Sequence, residues 1–184
     1  MISRLIALLS LVFLTSCSQP PASPSLSGPT ILVIANAAER AGSVPGYQGL
    51  YATYQIDLGS AHAFKRQDLA SLRWRQIRTD FPRGGREQSF EGPPLSLVLA
   101  EAGVRNRSVR FTSFDGYEVE VEAEMIARHD PILALRVDGE SLATGGYGPV
   151  MLVWPRRERG PLSDMPDDLW PWGVFAITVL PEAG

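Results

Sequence analysis

Hydrophobic and polar positions along this chain read mainly as short strands. Ile31-Leu32-Val33-Ile34-Ala35 is a β-branched apolar run suited to a buried strand. Tyr47 to Leu58 carries aromatic and branched residues between Gly46 and Gly59 and predicts one or two further strands. Phe64, Leu69 and Leu72 fall near helical spacing and predict a short helix over 63–72. Leu95, Val98, Leu99 and Ala102 stand at i, i+3, i+4 and i+7, so they line one face of a helix over 94–102. Pro94 at its start and Gly103 past its end give that helix the usual asymmetry of its caps.

A hairpin follows. Val109 to Ser113 is one arm, Asp115-Gly116 the turn and Tyr117 to Val121 the other arm. In the second arm Glu118 and Glu120 alternate with Tyr117, Val119 and Val121, which predicts one wet face and one buried face. The glutamates therefore read as solvated strand positions rather than as a metal site. Pro131 to Val137, Val150 to Trp154 and Val174 to Leu180 predict three more strands, with Asp138-Gly139 as a second turn. Connections are too short for repeated βαβ crossovers, so the expected class is α+β, a mixed and mainly β sheet with a few short helices.

The front of the chain follows another pattern. Arg4 precedes an apolar run from Leu5 to Leu14, well short of the ~20 residues that span a bilayer. The run ends in Leu14-Thr15-Ser16-Cys17, which resembles a bacterial lipobox, whose cysteine is lipidated and becomes the first mature residue. Cys17 is the single cysteine of the sequence, so no internal disulfide forms. Residues 18–29 are rich in serine and proline and read as a flexible tether. The expected organisation is a signal peptide over 1–16, a tether over 17–29 and one folded domain over 30–184. Ser18 is not the aspartate that resembles an inner-membrane retention signal. The expected address is thus the periplasmic side of the outer membrane, with the membrane reached through the lipid anchor.

Charge narrows the partners. Without Arg4 the 17 basic residues become 16 against 20 acidic ones, a net of −4. This balance argues against nucleic acid. Nucleophilic chemistry is poorly served: no G-x-S-x-G elbow is present, and the two histidines, His62 and His129, have no partner at metal-ligand spacing. Two features remain as candidates. Arg73, Arg75, Arg78, Arg83 and Arg86, with Gly84-Gly85 among them, suit capture of a phosphate or carboxylate, or are simply solvated arginines on a strand and loop. The segment Asp164-Met165-Pro166-Asp167-Asp168-Leu169-Trp170-Pro171-Trp172 could wall a ligand pocket or cap a core. The loop Gly145-Gly146-Tyr147-Gly148-Pro149 leads into a strand rather than a helix, so no helix N-terminus there points at an anion.

Several pieces, in order, resemble one family. Phe90-Glu91-Gly92-Pro93-Pro94-Leu95 with Leu99-Ala100-Glu101-Ala102-Gly103-Val104 resembles the helix entry of the sulfite-oxidase-like molybdopterin-binding domain. Asp115-Gly116-Tyr117, Leu133-Ala134-Leu135 with Asp138-Gly139-Glu140, Gly146-Tyr147-Gly148-Pro149 with Val153-Trp154-Pro155, and Trp172-Gly173-Val174 resemble further elements of it. The resemblance implies a mixed α+β fold and, in full enzymes, a molybdenum–pyranopterin centre for oxygen-atom transfer. It also implies a cysteine thiolate on the metal within the interval 80–89, where this sequence has none, and an arginine where Met151 stands. Three readings follow. One is a non-catalytic periplasmic lipoprotein that binds a small anionic ligand or a protein partner. The second is a genuine molybdopterin-dependent oxidoreductase. The third is a structural envelope or assembly lipoprotein. The candidate ligand or cofactor residues are Arg78, Arg83, Arg86, Asp115, Tyr117, Tyr147, Trp170 and Trp172, with Cys17 for lipidation and no metal ligand or catalytic residue.

Overall fold

The computed structural model describes residues 28–38, 42 and 49–181. The expected signal segment, Cys17 and nearly all of the tether lie outside the described residues.

Eleven strands and four short helices make up the described fold. The strands are β1 (Thr30–Ala35), β2 (Ala61–Lys65), β3 (Arg75–Asp80), β4 (Glu87–Gly92), β5 (Val109–Ser113), β6 (Glu118–Val121), β7 (Ile132–Ala134), β8 (Arg136–Val137), β9 (Glu140–Ser141), β10 (Met151–Val153) and β11 (Val174–Val179). The helices are α1 (Gly49–Thr53), α2 (Arg66–Ser71), α3 (Leu95–Glu101) and α4 (Ala123–His129). The expected α+β, mainly β class is the observed one.

The main sheet has the order β2-β1-β11-β5-β6. Of its three inner strands, β1 and β11 run parallel and join the two ends of the described chain, while the other pairings are antiparallel. Both faces of this centre are covered. Leu32, Ile34 and Ile177 belong to the main core, whereas Val33, Ala35, Phe175 and Ala176 belong to a smaller one beneath α1. Burial on both faces explains why β1 reads as a continuous apolar run instead of alternating. The edge hairpin β5–β6 does alternate. Arg110 stands opposite Glu120 and pairs with it at 2.6 Å, and Thr112 donates to Glu118 at 3.2 Å, so the outward glutamates are spent within the strand face.

A second sheet has the order β3-β4-β8-β9, and β10 pairs with β7. Backbone bonds knit these together: Leu133 N–H donates to the Pro93 carbonyl and Leu135 N–H to the Glu91 carbonyl, both at 2.9 Å. Gly92 lets the two chains cross, because a Cβ there would lie 1.9 Å from the Leu133 oxygen. Helix α3 then buries Leu95, Val98 and Leu99, with Ala102 just beyond its end, as the spacing predicts.

Two expectations are corrected. The segment 47–58 contains α1 where strands are predicted. Tyr51 in that helix packs edge-on against Phe175 at 5.5 Å, and Gln55 follows with φ of 54°, so packing against β11 overrides a strand-like composition. The helix predicted over 63–72 is strand up to Lys65 and helical only afterwards, since residues 61–65 pair with β1. The Asp68 carboxylate accepts the Lys65 N–H at 2.7 Å and so marks the new start.

Candidate functional site

The C-terminal segment between β10 and β11 is fixed by backbone bonds to its neighbours. Leu152 N–H donates to the Pro171 carbonyl, Val174 N–H to Val150 and Gly173 N–H to Tyr147, each at 2.9 Å. These bonds seat Trp170, Pro171 and Trp172 beside the glycine loop and the end of β3. Asp167–Leu169 forms one 3-10 turn ahead of them. The indole N–H of Trp154 donates to the Leu169 carbonyl at 2.7 Å and closes the back of that turn.

Four aromatic rings meet there. Phe81 stacks on Trp170 with centroids 5.6 Å apart, and Tyr147 meets Phe81 edge-on at 5.4 Å. Trp172 lies 6.2 Å from Tyr147. The loop of the β5–β6 hairpin supplies the facing wall. Asp115 Oδ1 accepts the Tyr117 N–H at 3.0 Å, shaping the turn, and the Tyr117 hydroxyl donates to the Asp168 carbonyl at 2.5 Å. Burial and the neighbouring Asp168 charge hold the Tyr117 phenol above its ordinary pKa, so it stays a neutral donor. Between the two walls lies a cleft of about 460 Å³, lined among others by Phe81, Ser113, Asp115, Asp168, Trp170 and Trp172.

Beneath this cleft sits a buried ion cluster. Arg156 donates to Asp80 Oδ1 at 3.1 Å, to the Asp80 carbonyl at 2.6 Å, to Asp167 Oδ1 at 2.7 Å and to the Met165 carbonyl at 2.9 Å. Its guanidinium also lies 4.5 Å over the Trp170 ring. Burial alone would raise the Asp80 pKa, but the Gly84 amide and Arg156 together hold it below the ordinary carboxylate value. One arginine therefore ties the end of β3, which carries Phe81, to the segment that carries Trp170.

Two polar atoms in the cleft wall have no partner. Ser113 and Trp170 are each only 1% exposed, and among the described residues neither Ser113 Oγ nor Trp170 Nε1 finds a hydrogen-bond partner. Leaving a buried donor unmatched costs roughly 1–3 kcal/mol, so two of them in one wall are a feature to be explained. The rim adds another. Phe114, Tyr117 and Trp172, the large hydrophobic side chains left exposed among the described residues, all belong to the loops around this cleft.

The sequence candidates thus divide. Asp115, Tyr117, Trp170 and Trp172 line one cleft, and Tyr147 supports it through Phe81 and Trp172. The candidate arginines lie outside this cleft, and Arg83 lines a second concavity with Gly84, Arg156 and Arg157. Arg78 pairs with Glu87 at 2.9 Å, Arg86 with Asp138 at 2.7 Å and Arg83 with Asp164 at 3.2 Å, so each fork already faces a carboxylate. The cations of the hairpin β3–β4 thus stand beside carboxylates, Glu87 within the hairpin and Asp138 and Asp164 outside it. Asp80, Phe81, Ser113 and Arg156 are candidate-site residues that the sequence reading does not single out, whereas Asp167 and Asp168 belong to the segment it names. The run Trp154-Pro155-Arg156-Arg157-Glu158-Arg159 holds three arginines, and only the fold distinguishes the buried one.

The family model described as the oxidoreductase molybdopterin binding domain matches residues 70–158. Among solved structures the chain is similar to the sulfane dehydrogenase SoxCD from Paracoccus pantotrophus. The TM-score is 0.54 and the identity 18%, over 80% of this chain and 37% of that one. The fold is sulfite-oxidase-like. The chain spans little more than a third of the length of that solved relative. No curated protein matches the sequence.

The residues of this molybdopterin-binding-like domain can be tested against the cofactor its fold implies. The cleft lining contains no thiol and carries three carboxylates, Asp115, Asp167 and Asp168. Met151, where the resemblance implies an arginine, is fully buried in β10. Among the described residues no cluster of histidine, cysteine, aspartate or glutamate is arranged to hold a metal. This donor set does not fit a thiolate-bound molybdenum, and its carboxylates oppose a phosphate-bearing pterin.

Proposed function

We propose that this chain is a periplasm-facing lipoprotein, anchored through Cys17, whose sulfite-oxidase-like domain binds a small ligand and does not carry out oxygen-atom transfer. The observation that carries the reading is the cleft of Phe81, Ser113, Trp170 and Trp172, with its two unpartnered polar atoms and its acidic, thiol-free lining. Such a lining offers stacking surfaces, hydrogen-bond donors and negative charge, which are the means of recognition rather than of two-electron chemistry. The carboxylates of the cleft oppose an anion, so this reading departs from the anionic ligand expected from the arginines.

The family match supports a second reading, a genuine molybdopterin-dependent oxidoreductase. The full chain purified from a host that inserts molybdenum separates the two. The proposed reading expects neither metal nor pterin at stoichiometric level, together with a lipid-modified Cys17 by mass spectrometry that is lost in Cys17→Ser. Molybdenum at one atom per chain would establish the oxidoreductase reading instead.

A further inference from the structure

The cleft has a definite charge and donor pattern, and that pattern selects a ligand class. We infer that it takes a small organic ammonium ion that also carries an oxygen acceptor. The inference rests on the ligand-binding reading above and specifies its chemistry.

Three observations combine. First, the aromatic wall: Trp172 is 40% exposed and Tyr117 38%, so two ring surfaces are open to solvent at the rim. Indole and phenol faces attract a cation through their quadrupole, tryptophan most strongly. Second, the charge: Asp167 is neutralised by Arg156, but among the described residues Asp168 makes no ion pair and Asp115 accepts only the amide of its own turn. The rim thus keeps two uncompensated carboxylates beside those rings, an arrangement that repels an anion and attracts an ammonium. Third, the inner wall: Trp170 Nε1 donates only, and Ser113 Oγ can donate or accept, yet both lack partners while almost wholly buried. Both atoms are closed to solvent in the free protein, so an oxygen on the ligand satisfies them only in the bound state we infer, with the cation held outward at Trp172 and Asp168. The Phe81–Trp170 stack and the Arg156 guanidinium over the same indole hold that inner donor in place.

The test uses the full chain in detergent, labelled at the indole nitrogens, with choline, tetramethylammonium, glucose and inorganic phosphate as probes. Choline is expected to shift the Trp170 and Trp172 indole resonances saturably. Tetramethylammonium, which has no oxygen, is expected to bind more weakly and to leave Trp170 unmoved. Asp168→Asn, an exposed substitution that leaves the fold intact, is expected to weaken choline about 2–5-fold, and Trp172→Ala by a similar factor. Phosphate or glucose acting at Trp170 in place of choline, equal binding of choline to the Asp168→Asn variant, or no response to either ammonium would each overturn the inference. A protein without molybdenum that answers only to a neutral or anionic probe defeats the ammonium assignment while leaving the ligand-binding reading standing. Stoichiometric molybdenum defeats that reading whatever choline does.

Discussion

Arg156 closes on both the side chain and the backbone of Asp80, with Nε 3.1 Å from Oδ1 and Nη2 2.6 Å from the carbonyl, across 76 positions of sequence. The two side chains are 1% and 6% exposed. Arg156 also reaches Asp167 and Met165, so a single guanidinium satisfies four acceptors under the cleft. Removing it strands a buried carboxylate. Arg156→Met is expected to cost about 3–5 kcal/mol in urea denaturation, whereas Asp80→Asn combined with Arg156→Met recovers part of that loss, because the uncompensated charge is gone. A double variant no more stable than Arg156→Met alone would contradict the stranded-charge argument.

The same pair sets an acid response. The Asp80 pKa is lowered on folding, so the unfolded chain binds a proton before the native one does, and stability rises with pH through that interval. The contribution is complete above the unfolded carboxylate pKa of about 3.9 and is lost as pH falls through the lower native value. The stability difference between wild type and Asp80→Asn should therefore stay level from pH 5 to pH 8 and narrow below about pH 4. A gap unchanged at pH 3 would show that Asp80 gains nothing from its charge.

Gly92 makes a sharper case than the other glycines. A Cβ there would sit 1.9 Å from the Leu133 oxygen and 2.9 Å from the Ala134 Cα, both backbone atoms that no rotamer change can move. Gly92→Ala must push β4 away from β7, at or above the ~3 kcal/mol end of overpacking effects. Gly160→Ala, with no atom within 4 Å of the added methyl, is the matched control and should stay within about 0.5 kcal/mol. Thermal melts of the two variants decide it.

Gly92 also shows why some of this fold is legible in the sequence. It stands in the Phe90-Glu91-Gly92 stretch that carries the family resemblance, and its role as a crossing point gives that motif a physical cause. The β5–β6 hairpin and α3 are legible for a similar reason: each buries one face only, so period 2 or 3.6 survives in the residue pattern. Strands β3 and β4 are not. Of the six residues Arg75 to Asp80, only Ile77 is a buried apolar side chain, because Thr79 and Asp80 turn polar groups inward. At the site, Asp115, Tyr117, Trp170 and Trp172 are readable from residue type. Arg156 is not, since nothing local distinguishes it from Arg157 and Arg159, and its partner Asp80 is supplied by a distant strand. The paired state of Arg83 and Arg86 is hidden for the same reason: Asp164 and Asp138 lie far along the chain.

Ser113 offers a test in which stability and recognition move in opposite directions. Its hydroxyl is buried without a partner in the cleft wall, as is that of Thr79, which lies at the end of β3 and does not line the cleft. A satisfied buried hydroxyl stabilises by about 1 kcal/mol, and its removal is a loss; an unsatisfied one carries a desolvation penalty, and its removal is a gain. Ser113→Ala and the isosteric Thr79→Val are both expected to leave stability unchanged or raise it by up to about 1 kcal/mol in the absence of ligand. Only Ser113→Ala should weaken binding at the cleft, since of the two residues only Ser113 lines it. Denaturation midpoints and choline titrations of the two variants give four readings. A Ser113→Ala protein that is less stable than wild type by 1 kcal/mol or more would mean that its hydroxyl is already satisfied, and the donor in the cleft wall would then be Trp170 alone.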